Sequence, residues 1–263
     1  MARAKAAKEQ PYILVTNDDG IDSPGLLALK QALRVVGEVA VVAPAQNWSA
    51  ASHIKTFDRP LRVVEVRLAD GAPAFSTDGT PTDAVSLAIL GILPRRPDLV
   101  VSGINKGANL GEDVSYSGTV AAAMEGVIAG IPSIAVSLAD YFQWDFSFAA
   151  EFAATLARRV LANRLGHDVL LNVNVPSLPR EQIKGVEITR LGKRVYRDVL
   201  VERKDPRGRS YYWIGGEPPH GVAEEGTDFT AIGDGKVSIT PIHLDLTNHR
   251  LIEKLKGWRL KAD

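Results

Sequence analysis

The chain places acidic and polar side chains directly after segments that have the apolar pattern of buried strands. Asn17-Asp18-Asp19-Gly20 follows the first such segment, the loop from Pro44 to Ser49 follows the second, and the loop from Ser102 to Gly107 follows a later one. Ligands of open α/β sheets bind beyond the carboxyl ends of the parallel strands, so we expect these side chains to lie near one another. Two carboxylates, a hydroxyl and an amide form an all-oxygen ligand set, which Mg²⁺ and Mn²⁺ prefer. The pattern predicts a divalent-metal site.

The adjacent carboxylates of Asp18 and Asp19 favour the same interpretation. Like charges so close together repel each other, and a nearby cation removes that cost. The alternative is that both side chains only cap the loop that leads to the helix beginning at Ser23. A position at the end of a first strand favours the metal site, and the alternative stays open.

A second pattern, Ser117-Gly118-Thr119, opens an Ala-rich helix. Exposed backbone N–H groups and the helix dipole attract anions at such a position. Gly118 permits close approach to the backbone, and Ser117 and Thr119 add hydroxyl donors. The alternative is a plain serine N-cap. Beside a metal site, the pattern predicts a phosphate group held between the cation and the helix.

Three further features have simpler interpretations. Asp83 lies in the first turn of a helix opened by Thr80, where a capping role is the default. His53 follows the Ser49 loop and could approach the site, although we interpret it as a surface or loop histidine. The segment from Arg190 to Arg209 has eight Lys or Arg against three Asp or Glu, which is typical of a solvated hairpin, and contact with a polyanionic substrate is the alternative.

Short apolar strands alternate with helical patterns between residues 11 and 180. This alternation predicts a doubly wound α/β core whose mostly parallel sheet is covered by helices on both faces. The predicted strands are Tyr12–Thr16, Glu38–Ala43, Leu61–Val66, Asp98–Ser102, Pro132–Ser137 and Val169–Val175. The predicted helices are Ser23–Val36, Thr80 to about Leu93, Ser117–Ala129 and Ser147–Asn163.

The pattern changes after Pro179, and residues 181–263 are predicted to form a β-rich arm that ends in a helix. Arms of this kind often pair with a second chain at strand edges that are otherwise exposed. Residues 1–10, rich in Ala and Lys, are predicted to be a disordered extension. The predicted antiparallel strands of the arm are Val186–Leu191, Val195–Val201, Tyr211–Ile214 and Lys236–Ile242, and the predicted terminal helix is Asn248–Leu255.

Composition narrows the class of protein. Lys and Arg number 31, as do Asp and Glu, so no overall field attracts nucleic acid or a membrane, and we expect no stable complex with either. The absence of cysteine excludes disulfides, zinc–thiolate sites and thiol nucleophiles. No apolar run resembles a membrane span or a signal peptide, so we expect a cytoplasmic protein.

Five segments in order resemble the signatures of the SurE family, and together they cover nearly the whole α/β core. The first and longest runs from Ile13 to Gly25 and contains Asn17-Asp18-Asp19-Gly20. The others are Ala43-Pro44 followed by Ser49, Gly79-Thr80-Pro81 with Asp83, Ser102-Gly103-Ile104-Asn105 with Gly107 and Asn109-Leu110-Gly111, and Tyr116-Ser117-Gly118-Thr119 continuing to Glu125.

The resemblance implies a metal-dependent phosphatase that releases phosphate from nucleoside 5′- or 3′-monophosphates, and in some members from polyphosphate. It also implies one Mg²⁺ or Mn²⁺ per subunit and a homodimer or homotetramer that exchanges C-terminal elements. Asp18, Asp19, Ser49 and Asn105 would be the metal ligands, with Asp18 or Asp19 also accepting a proton from water. The phosphate oxygens would contact residues among Asn17, Asn109, Ser117, Gly118 and Thr119.

The chain departs from the family pattern at two positions. The residue before Ser49 is Trp48, where Arg or Gln is frequent, and the residue after Asp83 is Ala84, where Cys is frequent. Neither is a proposed ligand. Trp48 leaves the substrate preference open, because an indole ring changes how a base or sugar can stack.

A receiver-type signalling domain is the alternative function. Such domains also carry an acidic pair after their first strand and bind Mg²⁺. The segment Pro97-Asp98-Leu99-Val100-Val101 resembles the strand that leads to their phosphoacceptor, but the next residue is Ser102 and has no carboxylate. A dinucleotide-binding oxidoreductase is less compatible, because Asn17-Asp18-Asp19-Gly20 stands where a Gly-rich turn would be needed.

Overall fold

The computed structural model describes residues 10–163, 166, 168–195, 198–216, 220–258 and 260. Its main feature is a nine-stranded sheet in the order β3-β4-β2-β1-β5-β6-β7-β13-β8. The strands of this sheet are β1 (Tyr12–Thr16), β2 (Glu38–Pro44), β3 (Val63–Arg67), β4 (Pro73–Thr77), β5 (Leu99–Lys106), β6 (Ser133–Ala139), β7 (Leu170–Pro176), β8 (Val186–Ile188) and β13 (Val237–Ile242).

The centre of the sheet is parallel and its edges are mixed. The order β4-β2-β1-β5-β6-β7 has only parallel pairs, while β3 and β13 run antiparallel to β4 and β7. β2, the strand that follows β1 in the chain, pairs with one side of β1, and β5 pairs with its other side. The strand order reverses at this point, and ligands bind there in folds of this class.

Helices cover both faces of the sheet, as expected for a doubly wound α/β fold. Ile13 and Val15 of β1 point into one buried cluster, and Leu14 points into a second, because successive side chains of a strand alternate between faces. The first cluster includes apolar side chains of α1 and α4, and the second includes those of α2. The helices are α1 (Pro24–Leu33), α2 (Pro81–Leu87), α3 (Gly118–Ile128), α4 (Ser147–Asn163), α5 (Asp228–Gly233) and α6 (His249–Lys256).

Among the strands and α-helices of five or more residues, the strand β4 and the helix α5 were not predicted, and one helix is shorter than expected. The helix predicted from Thr80 to about Leu93 ends as an α-helix at Leu87. It continues as a π-helical turn over Ala88–Ile92, where Gly91 has a φ of 145°.

The C-terminal segment is divided between the main sheet and a separate hairpin. β13 pairs antiparallel with β7, whereas β8 pairs parallel with β13, so the antiparallel pairing expected for the segment beginning at Val186 is wrong. β10 (Asp198–Lys204) and β11 (Ser210–Gly216) form the hairpin, and β9 (Arg194–Val195) pairs with β12 (His220–Gly221). The predicted N-terminal extension lies outside the described residues except for Gln10.

Within the ranges given above, the structure contains no helix that combines the length and the apolar character needed to span a membrane.

Candidate active site

The loop after β1 holds the acidic pair at the predicted edge of the sheet. Asp18 is almost fully buried, and its backbone carbonyl accepts a hydrogen bond from the Trp48 N–H at 2.8 Å. Asn17 is fully buried, and its side-chain amide donates to the Gly20 carbonyl at 2.9 Å. Gly20 has a φ of 99°, a conformation that side chains disfavour. In this structure Asn17 therefore stabilises the turn that presents Asp18 and Asp19.

The start of α3 packs directly against Asp18. The Thr119 hydroxyl donates a hydrogen bond to Oδ1 of Asp18, and Thr119 is fully buried. A Cβ atom added at Gly118 would lie 2.7 Å from Cβ of Asp18 and 2.9 Å from its Oδ2, so only glycine permits this approach. Ser117 caps the helix, since its Oγ accepts from the Val120 N–H at 3.1 Å. The helix terminus predicted to bind an anion thus has the Asp18 carboxylate beside it.

Burial alters the acidity of both carboxyl groups. Burial is the largest influence on Asp18, and with the neighbouring Asp19 charge it raises the pKa to about 6, although the Thr119 hydroxyl acts in the opposite direction. Burial also raises the pKa of Asp19, against the opposing effects of the Lys106 N–H and the Lys106 charge. Both groups are therefore harder to ionise without a cation, as expected of ligands that face a divalent metal.

Ser49 lies on a loop that is tied to the segment before α3. Its backbone N–H donates to Oδ1 of Asn47 at 2.7 Å. Ser52 anchors the far side of the loop, because its N–H donates to the Tyr116 carbonyl at 3.0 Å and its hydroxyl to the Ser115 carbonyl at 2.7 Å. The loop that carries the predicted hydroxyl ligand is thereby fixed to the start of α3.

Asn105 lies inside β5 and not in the loop after it, because this strand continues to Lys106. Its pairing with β6 shifts register between Ser102 and Asn105. The Asn105 amide nitrogen donates to the Gly107 carbonyl at 2.9 Å, which leaves the amide oxygen available to a cation. The next backbone N–H, of Lys106, donates to Oδ2 of Asp19 at 3.3 Å. The irregular end of β5 thus contributes to two of the predicted ligands.

These elements surround an open cavity of about 300 Å³. Among the predicted residues, Asp18, Ser49, Asn105, Asn109 and Ser117 line it, whereas Asn17, Asp19, Gly118 and Thr119 lie one or two positions along the chain from lining residues and do not line it. A larger cavity of about 410 Å³, lined partly by Phe148 and Arg180, contains none of the predicted residues. The structure therefore brings three of the four predicted ligands, Asp18, Ser49 and Asn105, to one cavity from two loops and the end of β5.

A network of amides that the sequence analysis missed holds Asn109 in the cavity wall. The Asn109 N–H donates to Oδ1 of Asn174 at 2.8 Å, and its side-chain amide donates to Oγ of Ser137 at 2.8 Å. The side chains of Asn172 and Asn174 in turn donate to the Asn109 carbonyl, at 2.8 and 3.0 Å. All four residues are buried. Asn172 and Asn174 alternate along β7, which puts two polar side chains on one buried face of the strand, and this alternation is a usable signal in the sequence.

Eight other residues also line the cavity without having been predicted as site residues, and five of them have charged or aromatic side chains. Gly107, with a φ of 103°, lies under the Tyr141 ring, whose Cε1 would be 2.5 Å from a Cβ atom there. Lys106 directly follows Asn105 in the sequence, but the motif around Asn105 gave no reason to predict a role for it. Arg194 lies in the basic segment interpreted as a solvated hairpin, and no local pattern distinguishes it. The five residues are Lys106, Asp113, Tyr116, Tyr141 and Arg194.

Asp83 and His53 take structural places outside the cavity. Asp83 forms a capping box with Thr80 at the start of α2 and also accepts hydrogen bonds from Thr56, as the capping interpretation predicted. Nε2 of His53 lies 3.3 Å from Oε2 of Glu125, a buried residue of α3. His53 therefore faces the helix and not the ligand set.

The donors at this site suit a hard divalent cation. No group of three or more His, Cys, Asp or Glu side chains gathers around a metal position in the part of the chain that the structure describes. The predicted set differs from such a cluster, since it combines two carboxylates with a hydroxyl and an amide oxygen. Oxygen donors with few carboxylates fit Mg²⁺ or Mn²⁺, which retain several waters. The residues present therefore fit the implied metal.

Comparison with known proteins agrees with this geometry. A family model described as "Survival protein SurE" matches residues 13–198. The chain is 57% identical to a protein named 5′-nucleotidase SurE from Herpetosiphon aurantiacus over 92% of this chain and 96% of that one. It is 55% identical to a protein of the same name from Chloroflexus aggregans, over 94% and 98%.

A solved structure extends the likeness to the fold. The crystal structure of the SurE protein from Aquifex aeolicus superposes with a TM-score of 0.83 at 45% identity, covering 95% of this chain and 100% of that chain. With the family model and the relatives agreeing over most of the length, this chain belongs to the SurE family.

Proposed function

We propose that the protein is a divalent-metal-dependent nucleotidase that hydrolyses nucleoside 5′-monophosphates to a nucleoside and phosphate. The observation that carries the proposal is the meeting of Asp18, Ser49 and Asn105 around one cavity, with Asp19 held behind them. Relatives that share more than half of their residues with this chain bear the name 5′-nucleotidase. A site of oxygen donors beside a helix start suits phosphoryl transfer, which needs mainly positioning and charge neutralisation.

Each residue of the site has a defined task in this proposal. Asp18, Asp19, Ser49 and Asn105 would hold one Mg²⁺ or Mn²⁺ per subunit, and the cation would act as a Lewis acid on the phosphate. Thr119 orients Asp18 through its hydroxyl, and the Lys106 N–H orients Asp19. In this proposal, Asp18 or Asp19 would also accept a proton from the attacking water.

The remaining wall of the cavity would contact the substrate. Asn109 is held rigidly by Asn174 and Ser137, so its side chain presents a fixed polar surface. Ser117 lines the same cavity at the start of α3. Both stay proposed contacts of the phosphate, and Gly118 stays one through its backbone. Asn17 and Thr119 are fully buried and bonded to Gly20 and Asp18, so their proposed part in phosphate binding would be to hold the acidic loop.

Phosphate release from a panel of nucleoside 5′- and 3′-monophosphates and from polyphosphate tests the proposal. The assay is run with Mg²⁺, with Mn²⁺ and after EDTA, on the wild type, on Asp19→Asn and on Asp22→Asn. Asp22 is an exposed aspartate of the same loop and serves as the matched control. We expect metal-dependent release that Asp19→Asn loses and Asp22→Asn keeps. No release from folded protein with either metal would overturn the proposal and return attention to a receiver-like, non-catalytic role.

We also propose that the protein forms a homodimer or homotetramer through its C-terminal segment. The hairpin β10–β11 forms a small sheet of its own and exposes large apolar side chains, including Trp213 at 63% and Ile214 at 81%. Ile214 is paired with Leu200, which is 66% exposed, so one face of the hairpin carries an exposed apolar pair, and exposed apolar surface of this kind can mark an interaction site. Light scattering on the full chain and on Trp213→Ser with Ile214→Ser checks it. A wild-type monomer at micromolar concentration would contradict it.

A further inference from the structure

The cavity has a cationic side chain that comes from the C-terminal segment. A nucleoside monophosphate has a phosphate charge of about −1.5 to −2 at pH 7, which one divalent cation shared with two carboxylates does not neutralise. Among the described residues that line the cavity, the cationic ones are Lys106 and Arg194. Nζ of Lys106 lies 4.7 Å above the ring of Trp144, which gives that ammonium group a partner at the edge of the cavity. Arg194 lies in β9, which pairs with β12 in a small sheet separate from the main one.

Arg194 is held against the segment that precedes α3. Its backbone N–H donates to Oε2 of Glu112 at 2.7 Å, and its guanidinium forms an ion pair with Asp113. Both acidic residues belong to the 3₁₀ helix Gly111–Ser115. The Arg194 side chain is only 13% exposed. The guanidinium therefore has a restricted position at the cavity wall instead of extending into solvent.

Asp228, a residue of α5, joins the two segments that set this position. It is fully buried, and its Oδ1 accepts from the Gly192 N–H at 2.8 Å while its Oδ2 accepts from the Gly111 N–H at 2.8 Å. One carboxylate thus connects the chain two residues before Arg194 with the start of the 3₁₀ helix. A Cβ atom at Gly111 would lie 2.6 Å from the Gly192 carbonyl oxygen, so the two backbones meet without room for a side chain.

We propose that Arg194 binds the phosphate group of the substrate and that Asp228 is the positioning residue that holds it there. This inference rests on the proposed nucleotidase function. A guanidinium has five N–H donors in a planar fork, so it can keep Asp113 on one edge and bind two phosphate oxygens with another. The short C-terminal strands then complete the phosphate site in addition to any part in assembly.

Phosphate binding to the metal-loaded protein tests the inference independently of turnover. Isothermal calorimetry with inorganic phosphate and saturating Mn²⁺ is compared among the wild type, Arg194→Gln, Arg194→Lys and Arg190→Gln. Arg190 is the matched control, because it is an exposed arginine of the same segment, paired with Glu224 and outside the cavity. We expect Arg194→Gln to raise the phosphate dissociation constant by roughly ten- to a hundred-fold, the value of a charge-assisted hydrogen bond. Arg194→Lys should recover only part of the lost phosphate affinity, since lysine keeps the charge but lacks the planar fork of donors.

Kinetics and a double-mutant cycle separate binding from a purely structural role. With 5′-monophosphates, Arg194→Gln should raise KM by a similar factor and leave the dissociation constant of Mn²⁺ unchanged. Asp228→Asn should raise KM less, and it should add nothing further in the Arg194→Gln background, because it acts through that residue. Additive effects of the two substitutions would overturn the positioning role of Asp228.

An unchanged phosphate dissociation constant in folded Arg194→Gln would overturn the binding role, even if turnover fell. Failure of the proposed function gives a different result. In that case the wild type hydrolyses no nucleotide with either metal, while the calorimetry still reports whether Arg194 binds the anion.

Discussion

The hydroxyl of Thr119 at the start of α3 donates a hydrogen bond to Oδ1 of Asp18 at the end of β1. This contact joins the two patterns that the sequence presents as separate sites, the acidic pair and the helix start. Thr119 is fully buried and Asp18 nearly so, which makes the bond inaccessible to competing water. The partial positive charge of the helix terminus therefore stabilises the ionised form of the carboxylate that we propose as a metal ligand.

Removing the Thr119 hydroxyl should weaken metal binding. Thr119→Val keeps the shape of the side chain but takes away the donor that lowers the pKa of Asp18. Partners of metal ligands are typically worth ten- to a hundred-fold in affinity, so we expect the Mn²⁺ dissociation constant to rise by about ten-fold. Titration calorimetry at pH 7 measures it. Thr119→Ser retains the hydroxyl and should stay within about three-fold of the wild type, and equal affinity in all three proteins would contradict the role of the bond.

The metal-free protein should become more stable when Asp18 is made neutral. Its pKa is raised to about 6 in the folded state by burial and by Asp19, from an ordinary value of 3.8. The folded state therefore holds the proton more tightly, so stability falls as pH rises between these two values and stays lower above pH 6. Asp18→Asn removes this penalty, which we expect to be about 1–3 kcal/mol at pH 7.5.

Thermal unfolding after EDTA treatment measures the effect of Asp18→Asn as a rise in Tm of a few degrees. The gain should shrink towards pH 4, where the wild-type carboxyl is protonated. Adding Mn²⁺ should stabilise the wild type and not the variant. Asp22→Asn, at an exposed position, should change neither curve. A lower Tm for metal-free Asp18→Asn at pH 7.5 would contradict the argument.

Gly118→Ala should lower turnover more strongly than it lowers the stability of the fold. The new Cβ would lie 2.7 Å from Cβ of Asp18, so either α3 or the acidic loop must move. Overpacking of this kind costs about 1–3 kcal/mol, and a ligand displaced by about 1 Å can lower turnover by about a hundred-fold. Gly233→Ala is the control, because a Cβ there meets no atom within 4 Å. Circular dichroism checks that both variants fold, and kcat reports on the site. Equal kcat values for Gly118→Ala and Gly233→Ala would contradict the prediction.

The position of Asp18 and Asp19 between β1 and α1 could be predicted because the signals for it lie in neighbouring residues of the sequence. The apolar run Tyr12–Val15 before Asp18 and a Ser23-Pro24 helix start after it define the strand, loop and helix without knowledge of the rest of the chain. Asp83 was interpreted as a cap for the same reason, and the capping box is present. Short-range chemistry of this kind is visible in one sequence.

Contacts between distant segments could not be predicted in the same way. β4 begins with Pro73 and has five residues, so its composition resembles a loop, and pairing with β2 makes it a strand. α5 has six residues, too few to show a helical period, yet its Asp228 connects two distant segments. The place of Arg194 at the cavity depends on that long-range packing, which no local pattern reveals.

Glu125 should attach the Ser49 loop to α3 in a way that depends on pH. Burial acts to raise its pKa, but hydrogen bonds from His53, Lys55 and Ser86 outweigh burial and lower it to about 2. His53 and Lys55 both lie on the loop that follows Ser49, with Nζ of Lys55 2.7 Å from Oε1 of Glu125. The ionised carboxylate thus stabilises the fold above its ordinary value of 4.5, and this contribution is lost as pH falls from there towards 2.

Glu125→Gln should therefore lower the free energy of unfolding by about 1–3 kcal/mol at pH 7, and the difference from wild type should shrink below pH 4. Urea unfolding at several pH values measures it. Glu151→Gln is the control, since that residue is an exposed glutamate of α4 paired with Arg180. The lost contacts lie on the loop that carries Ser49, so Glu125→Gln should also weaken Mn²⁺ binding several-fold at pH 7. The control Glu151→Gln should leave Mn²⁺ binding unchanged. A loss of stability that is constant from pH 3 to pH 7 would show that packing, and not the charge of Glu125, holds this loop.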